Sequence, residues 1–110
     1  MRGLEQIVED FVTEARGDTV GLWRIVNAVR HEFGEIEEDS VQATSIKAVE
    51  GLLNHGAGVV DYCEGRGWRK WPEEDAQTIL ARIEREWNAL ERDPDLGDVC
   101  WFSMVPRSSK

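Results

Sequence analysis

Residues 52–87 read LLNHGAGVVDYCEGRGWRKWPEEDAQTILARIEREW, and the fold class turns on them. Up to Asn54 the apolar residues keep a helical spacing, and Gly56 ends that helix. The period then drops to two. Val59, Val60 and Tyr62 predict a strand, Glu64-Gly65-Arg66-Gly67 a turn, and Trp68 to Trp71 the returning strand of a hairpin. Gly65 and Gly67 supply positive φ without a Cβ clash. Pro72 suits the first turn of a further helix, where no N–H is needed, and Glu73, Glu74 and Asp75 suit the positive end of its dipole. Ala76, Ile79, Leu80, Ile83, Trp87 and Leu90 then recur at helical spacing over four turns. One segment thus passes from helix to hairpin to helix, which excludes an all-helical bundle and an all-β sandwich.

On the N-terminal side, Leu4, Ile7, Val8, Phe11 and Val12 form one apolar stripe, and Gly17 marks the end of a first helix. Asp18 is placed to cap a second helix, with Leu22, Ile25, Val26, Val29 and Phe33 as its stripe and Val20 and Trp23 widening it. Gly34 ends it. After the link GEIEED, Asp39 or Ser40 is placed to cap a third helix carrying Val41, Ala48, Val49, Leu52 and Leu53. On the C-terminal side, Asp93-Pro94 breaks the last helix and Leu96-Gly97-Asp98 makes a turn. Residues 99–105, VCWFSMV, predict a strand packed on both faces or paired at the hairpin edge. The expected fold is α+β: a single helix-rich domain over residues 1–106, with four helices, a β-hairpin after the third, a C-terminal strand and a tail at 107–110.

The 110 residues suffice for one modest core. A hydrophobic content of 41% excludes disorder, and a formal charge of −9 disfavours nucleic acid and anionic lipid while favouring basic partners. Charged residues every few positions in MRGLEQIVEDFV do not fit a signal peptide, and no apolar run approaches the ~18 residues of a membrane span. A cytosolic chain is expected, with Cys63 and Cys100 as free thiols.

Chemistry-bearing constellations are absent from the pattern. Glu35 follows His31 by four residues but lies beyond Gly34, which ends that helix, and His55 has no acidic or cysteine residue at i+3 or i+4, so no metal is expected. Neither histidine is placed to activate Cys63. The expectation is a non-enzyme without cofactors. Two charged clusters stand out. Glu32, Glu35, Glu37, Glu38 and Asp39 put five acids into eight residues: a solvated link with helix caps, or an anionic docking patch. Arg66, Arg69 and Lys70 share the hairpin with Trp68 and Trp71; they either balance Glu64, Glu73 and Glu74 or form a nucleic-acid wing. Trp68 and Arg66 are of the residue types that anchor protein interfaces. Candidate partner-binding residues are therefore Glu35, Glu37, Glu38, Asp39, Arg66 and Trp68.

Residues 18–71 resemble a winged-helix domain in element order, in which the third helix enters the major groove. That helix would present Gln42, Ser45, Lys47, Glu50 and Asn54, and a single lysine against a glutamate is poorly matched to phosphate. The segments LLNHG, WPEE, EREWNAL and LGDVCWF, about a Gly-bearing hairpin, resemble small bacterial immunity proteins found beside polymorphic toxins. That resemblance implies a cytosolic inhibitor which binds one toxin domain, and an acidic inhibitor of this kind suits a toxin with a basic surface. A winged-helix transcriptional regulator is the alternative.

Overall fold

The computed structural model describes residues 3–34, 38–63 and 65–104, with the side chains of residues 38, 39 and 63 excepted. Four helices and four short strands follow in the order α1 (Leu4–Gly17), β1 (Val20–Gly21), α2 (Leu22–Phe33), α3 (Glu38–Asn54), β2 (Gly58–Cys63), β3 (Gly67–Lys70), α4 (Ala76–Leu90) and β4 (Trp101–Ser103). The α+β class, the four helices, the hairpin after the third helix and the closing strand are as the pattern predicts. The hairpin register pairs Tyr62 with Trp68 and Val60 with Lys70, and Gly65 and Gly67 take φ of 81° and 77° at its turn.

Where element boundaries depart from the pattern, tertiary pairing or a cap is the cause. Asp18 does not cap α2; its carboxylate accepts from the Thr19 N–H, and the backbone stays extended through Val20 and Gly21. Those two residues pair with Phe102 and Trp101, so the apolar Val20 belongs to a strand and not to the helix stripe. Gly17 is the last residue of α1 and not a left-handed cap. The third helix opens at Glu38, which puts Asp39 and Ser40 inside its first turn. Pro72 precedes α4 by four residues. Asp75 is the N-cap instead, accepting from Thr78 N–H at 3.1 Å. The last strand is shorter than VCWFSMV: Cys100 N–H turns back to the Asp98 carbonyl at 2.9 Å and Val99 adopts φ +68°, so pairing begins only at Trp101.

The sheet order is β1-β4-β2-β3, antiparallel throughout. The C-terminal strand therefore does not cap an edge. It lies inside, joining the N-terminal strand to the hairpin. Antiparallel partners directly opposite one another share a face. Val20, Phe102 and Val59 form one such row, and all three enter the main core. Trp71 extends the row through its N–H to the Val59 carbonyl. The helices fill that face. Val41, Ala48, Val49 and Leu52 of α3 are buried, and α3 packs against α1, α2 and α4. Gly51 lets α1 come close, because a Cβ there would lie 2.8 Å from Val8 Cγ2. Ile79, Ile83 and Trp87 of α4 are buried as one face, with Leu80 half-buried. That face packs chiefly on α3, not on α2 as the breadth of the second helix's stripe suggests.

Candidate protein-binding face

The other face of the sheet is aromatic. Gly21, Trp101, Val60 and Lys70 are successive cross-strand partners on it, with Tyr62 and Trp68 in the next row. The Trp68 ring stands edge-on to Tyr62 at 5.2 Å between centroids and to Trp101 at 5.4 Å. These are favourable edge-to-face contacts. They span three strands, with β2 in the middle. Val60 on that strand is 1% exposed yet lies outside the main core, so this is a separate small apolar layer. Trp23, in the first turn of α2, folds over the glycine at the far edge: a Cβ on Gly21 would lie 2.5 Å from Trp23 Nε1 and 3.4 Å from Trp101 Cε3. Three of the five tryptophans thus sit on the outer face. Unlike the core row, it is open to solvent: Tyr62 is 59% exposed, and Trp68 and Trp101 are half-buried.

The charges around this face differ from those elsewhere. Four arginines of the helices and the turn after α4 are paired, although Arg16 and Arg85 have no ion pair among the described residues. Arg24 bonds Glu14, Arg30 bonds Asp93, and Arg92 bonds Asp98 at 2.7 Å. Arg82 is held most tightly, with Glu86 at 2.6 Å, Glu73 at 2.8 Å and its guanidinium 3.7 Å from the Trp71 ring centre. Glu73 is therefore engaged by α4 and does not balance the hairpin. Arg66, Arg69 and Lys70 are all exposed, and none forms an ion pair with another described residue. Lys70 shares the outer face with Trp68, two residues along the same strand, while Arg66 lies in the turn and Arg69 on the helix side.

Of the six candidate binding residues, the side chains of only two, Arg66 and Trp68, lie within the description. Arg66 and Trp68 sit together on the hairpin. Glu35 and Glu37 fall outside the described residues; Glu38 and Asp39 begin α3, their side chains outside the description. The link containing them follows α2, whose twelve residues lead from β1, at the sheet edge opposite β3. At 1.5 Å per residue that is about 18 Å of helix. Near the link, a polar cleft of about 430 Å³ opens between the ends of α2 and α4 and the start of α3. Its polar walls already bond one another: Arg30 to Asp93, and Gln42 Nε2 to Asn88 Oδ1 at 2.9 Å.

Other candidates stay quiet. His31 and His55 are exposed, and His55 Nδ1 lies 2.8 Å from the Gly51 carbonyl oxygen. No group of three potential metal ligands occurs among the described residues. Cys100 is a free, buried thiol, and burial pushes its pKa well up, which keeps it protonated and unreactive. No described helix is long and apolar enough to cross a membrane. Of the candidate recognition helix, Ser45 is buried and Gln42 and Glu50 are half-buried, leaving only Lys47 and Asn54 exposed.

Tyr62, Trp101 and Trp23 were not legible as surface residues in the sequence. The available signal was the alternation of Cys100, Trp101, Phe102 and Ser103, which puts aromatic rings on both sides of one strand. Compared with known proteins, the chain matches no family model, and no curated protein or solved structure is significantly similar to it.

Proposed function

We propose that this chain is a protein-binding module, and specifically an immunity protein that binds and neutralises a toxin domain through the outer face of its sheet. The observation that carries this is the solvent-facing Tyr62–Trp68–Trp101 cluster. Exposed aromatic clusters of this kind are typical of binding surfaces, where tryptophan and tyrosine supply most of the affinity. Tyr62 leaves 59% of its surface in water, apolar area that a partner could still bury. The sequence resemblance to immunity proteins gives the toxin its place in the proposal.

The regulator alternative draws on element order alone. A recognition helix must present one long face to a groove. Here α3 packs against three other helices and, of the five residues it would present, leaves only Lys47 and Asn54 exposed, which favours the protein-binding reading.

The test is co-expression with the toxin encoded beside this chain, for wild type, Tyr62→Ala and Trp68→Ala. Wild type should protect the cell, and the variants should lose protection while retaining a cooperative melt. Full protection by both variants would remove the aromatic face from the interface. Lack of protection by wild type, or the absence of a neighbouring toxin, would remove the immunity proposal. Micromolar duplex-DNA binding with a steep salt dependence would favour the regulator.

A further inference from the structure

The same face specifies the chemistry of what covers it. In a chain of net charge −9, a solvent-facing aromatic cluster would be expected to lie among acids. It lies instead among bases. Arg66 and Lys70 flank Trp68 and both are exposed, while Arg69, next in the strand, lies on the helix side across from Asp61. The chain does have carboxylates that neutralise arginines, and it uses them on Arg24, Arg30, Arg82 and Arg92. The described carboxylate of the hairpin, Asp61, stands opposite Arg69 on the helix side and 4.0 Å from Arg82, and no described carboxylate forms an ion pair with Arg66 or Lys70. Among the described residues Arg66 and Lys70 have no ion pair, and like charges on one face repel, so a partner's carboxylates would complete the arrangement.

We infer that the outer face takes an acidic segment of a partner protein, whose apolar side chains cover Tyr62, Trp68 and Trp101 while its carboxylates meet Arg66 and Lys70. This rests on the protein-binding function proposed above and reverses the charge expected of the partner there: the basic toxin surface suited to the acidic link does not suit this face. A second copy of the chain is disfavoured, because symmetric pairing of the same patch would set its bases against themselves. Single-stranded nucleic acid also combines negative charge with stacking, but its backbone is bound by a basic groove that tracks successive phosphates, and this face offers only Arg66 and Lys70.

The experiment needs no knowledge of the partner. The ¹⁵N-labelled full chain is titrated with two peptides of equal apolar content, Glu-Leu-Glu-Leu-Glu and Lys-Leu-Lys-Leu-Lys, and with the oligonucleotide dT6. The acidic peptide should shift the indole signals of Trp68 and Trp101 and the amides of β3. The shifts should weaken with added salt, as surface electrostatics requires. The double variant Arg66→Glu, Lys70→Glu should bind it about tenfold or more weakly at an unchanged melting temperature. Should that variant fail to fold, Lys70→Gln alone must still weaken the acidic peptide and not the basic one. No shift with the acidic peptide, an equal response to the basic one, or a larger response to dT6 overturns the inference. So does a concentration-dependent shift of the Trp68 signal without any ligand, which would mark a second copy as the occupant. If the co-expression test fails while the acidic peptide still binds, the toxin proposal falls and this one stands. If protection depends on Trp68 but the acidic peptide leaves the face unmoved, this one falls alone.

Discussion

At Gly51 two residue-level effects oppose each other. Glycine inside a helix costs up to about 1 kcal/mol relative to alanine, so Gly51→Ala alone should stabilise. The new methyl, however, would lie 2.8 and 3.0 Å from the two Val8 methyls at the crossing of α1 and α3. Val8 is short, branched and 7% exposed, so it has little room to move aside. Overpacking of that kind costs ~1–3 kcal/mol, which outweighs the propensity gain. Gly51→Ala should lower denaturant stability by about 1 kcal/mol, and Val8→Ala in the same chain should recover part of it. A rise in stability on Gly51→Ala would show that the helices can separate without loss. Nothing around position 51 announces this contact, since helical spacing reports which face is buried but not where two helices touch. Val99 is similar: its φ of +68° is unfavourable for a β-branched residue, and no local pattern foretells it.

At the scale of elements, the strongly periodic segments were legible and their ends were not. Ile79, Ile83 and Trp87 form the buried face that their spacing predicts, because burying an apolar stripe decides where a helix lies. Its start was misplaced because Pro72 and three acids mimic a first turn, whereas the Asp75 side chain is the group that bonds a free N–H. Asp75→Ala should therefore cost about 1 kcal/mol, and Pro72→Ala should leave α4 itself intact. Ile83 is fully buried, so Ile83→Ala should cost ~2–5 kcal/mol in chemical denaturation. A loss below about 1 kcal/mol would mean that the core closes around the gap.

The turn after α4 adds a pH dependence. Asp98 accepts from Arg92 Nη1 at 2.7 Å and from Asp95 N–H at 2.8 Å, and its bond to Arg92 holds its carboxyl below the usual range. A carboxylate whose pKa is depressed by folding contributes stability above its unfolded pKa, about 3.9, and loses it as pH falls through the folded value. Asp98→Asn should destabilise the chain near neutral pH, and the gap from wild type should close below about pH 4. An undiminished gap at low pH would assign the effect to lost hydrogen bonds and not to charge.

Over the whole molecule, the least legible feature is the one that ties the fold together. Composition and charge fix a small acidic domain, and the hairpin announces itself through its glycines and its period of two. A two-residue strand such as β1 carries no period, and the position of β4 depends on partners from the opposite end of the chain: Phe102 pairs with Val20 on one side and Val59 on the other. The same placement explains why the binding face escaped the sequence, since Trp101 and Trp68 become neighbours only when β4 enters the sheet beside β2. It also sets an expectation for truncation. A C-terminal strand added to an edge could be removed at the cost of its own contacts. Removing β4 from an interior position strips the fully buried Phe102 from the core and leaves the facing edges of β1 and β2 unpaired. Truncating Phe102 alone should cost ~3–5 kcal/mol, a large share of the ~5–15 kcal/mol that a domain commonly holds. A chain ending at Asp98 should therefore show no cooperative thermal transition by near-ultraviolet circular dichroism. The helices, whose stripes are complete without β4, should retain part of their far-ultraviolet signal. If the shortened chain melts cooperatively within a few degrees of the full one, the helices form the stable unit by themselves. The sheet would then be an accessory layer laid over them, and the aromatic face could be lost without loss of the fold.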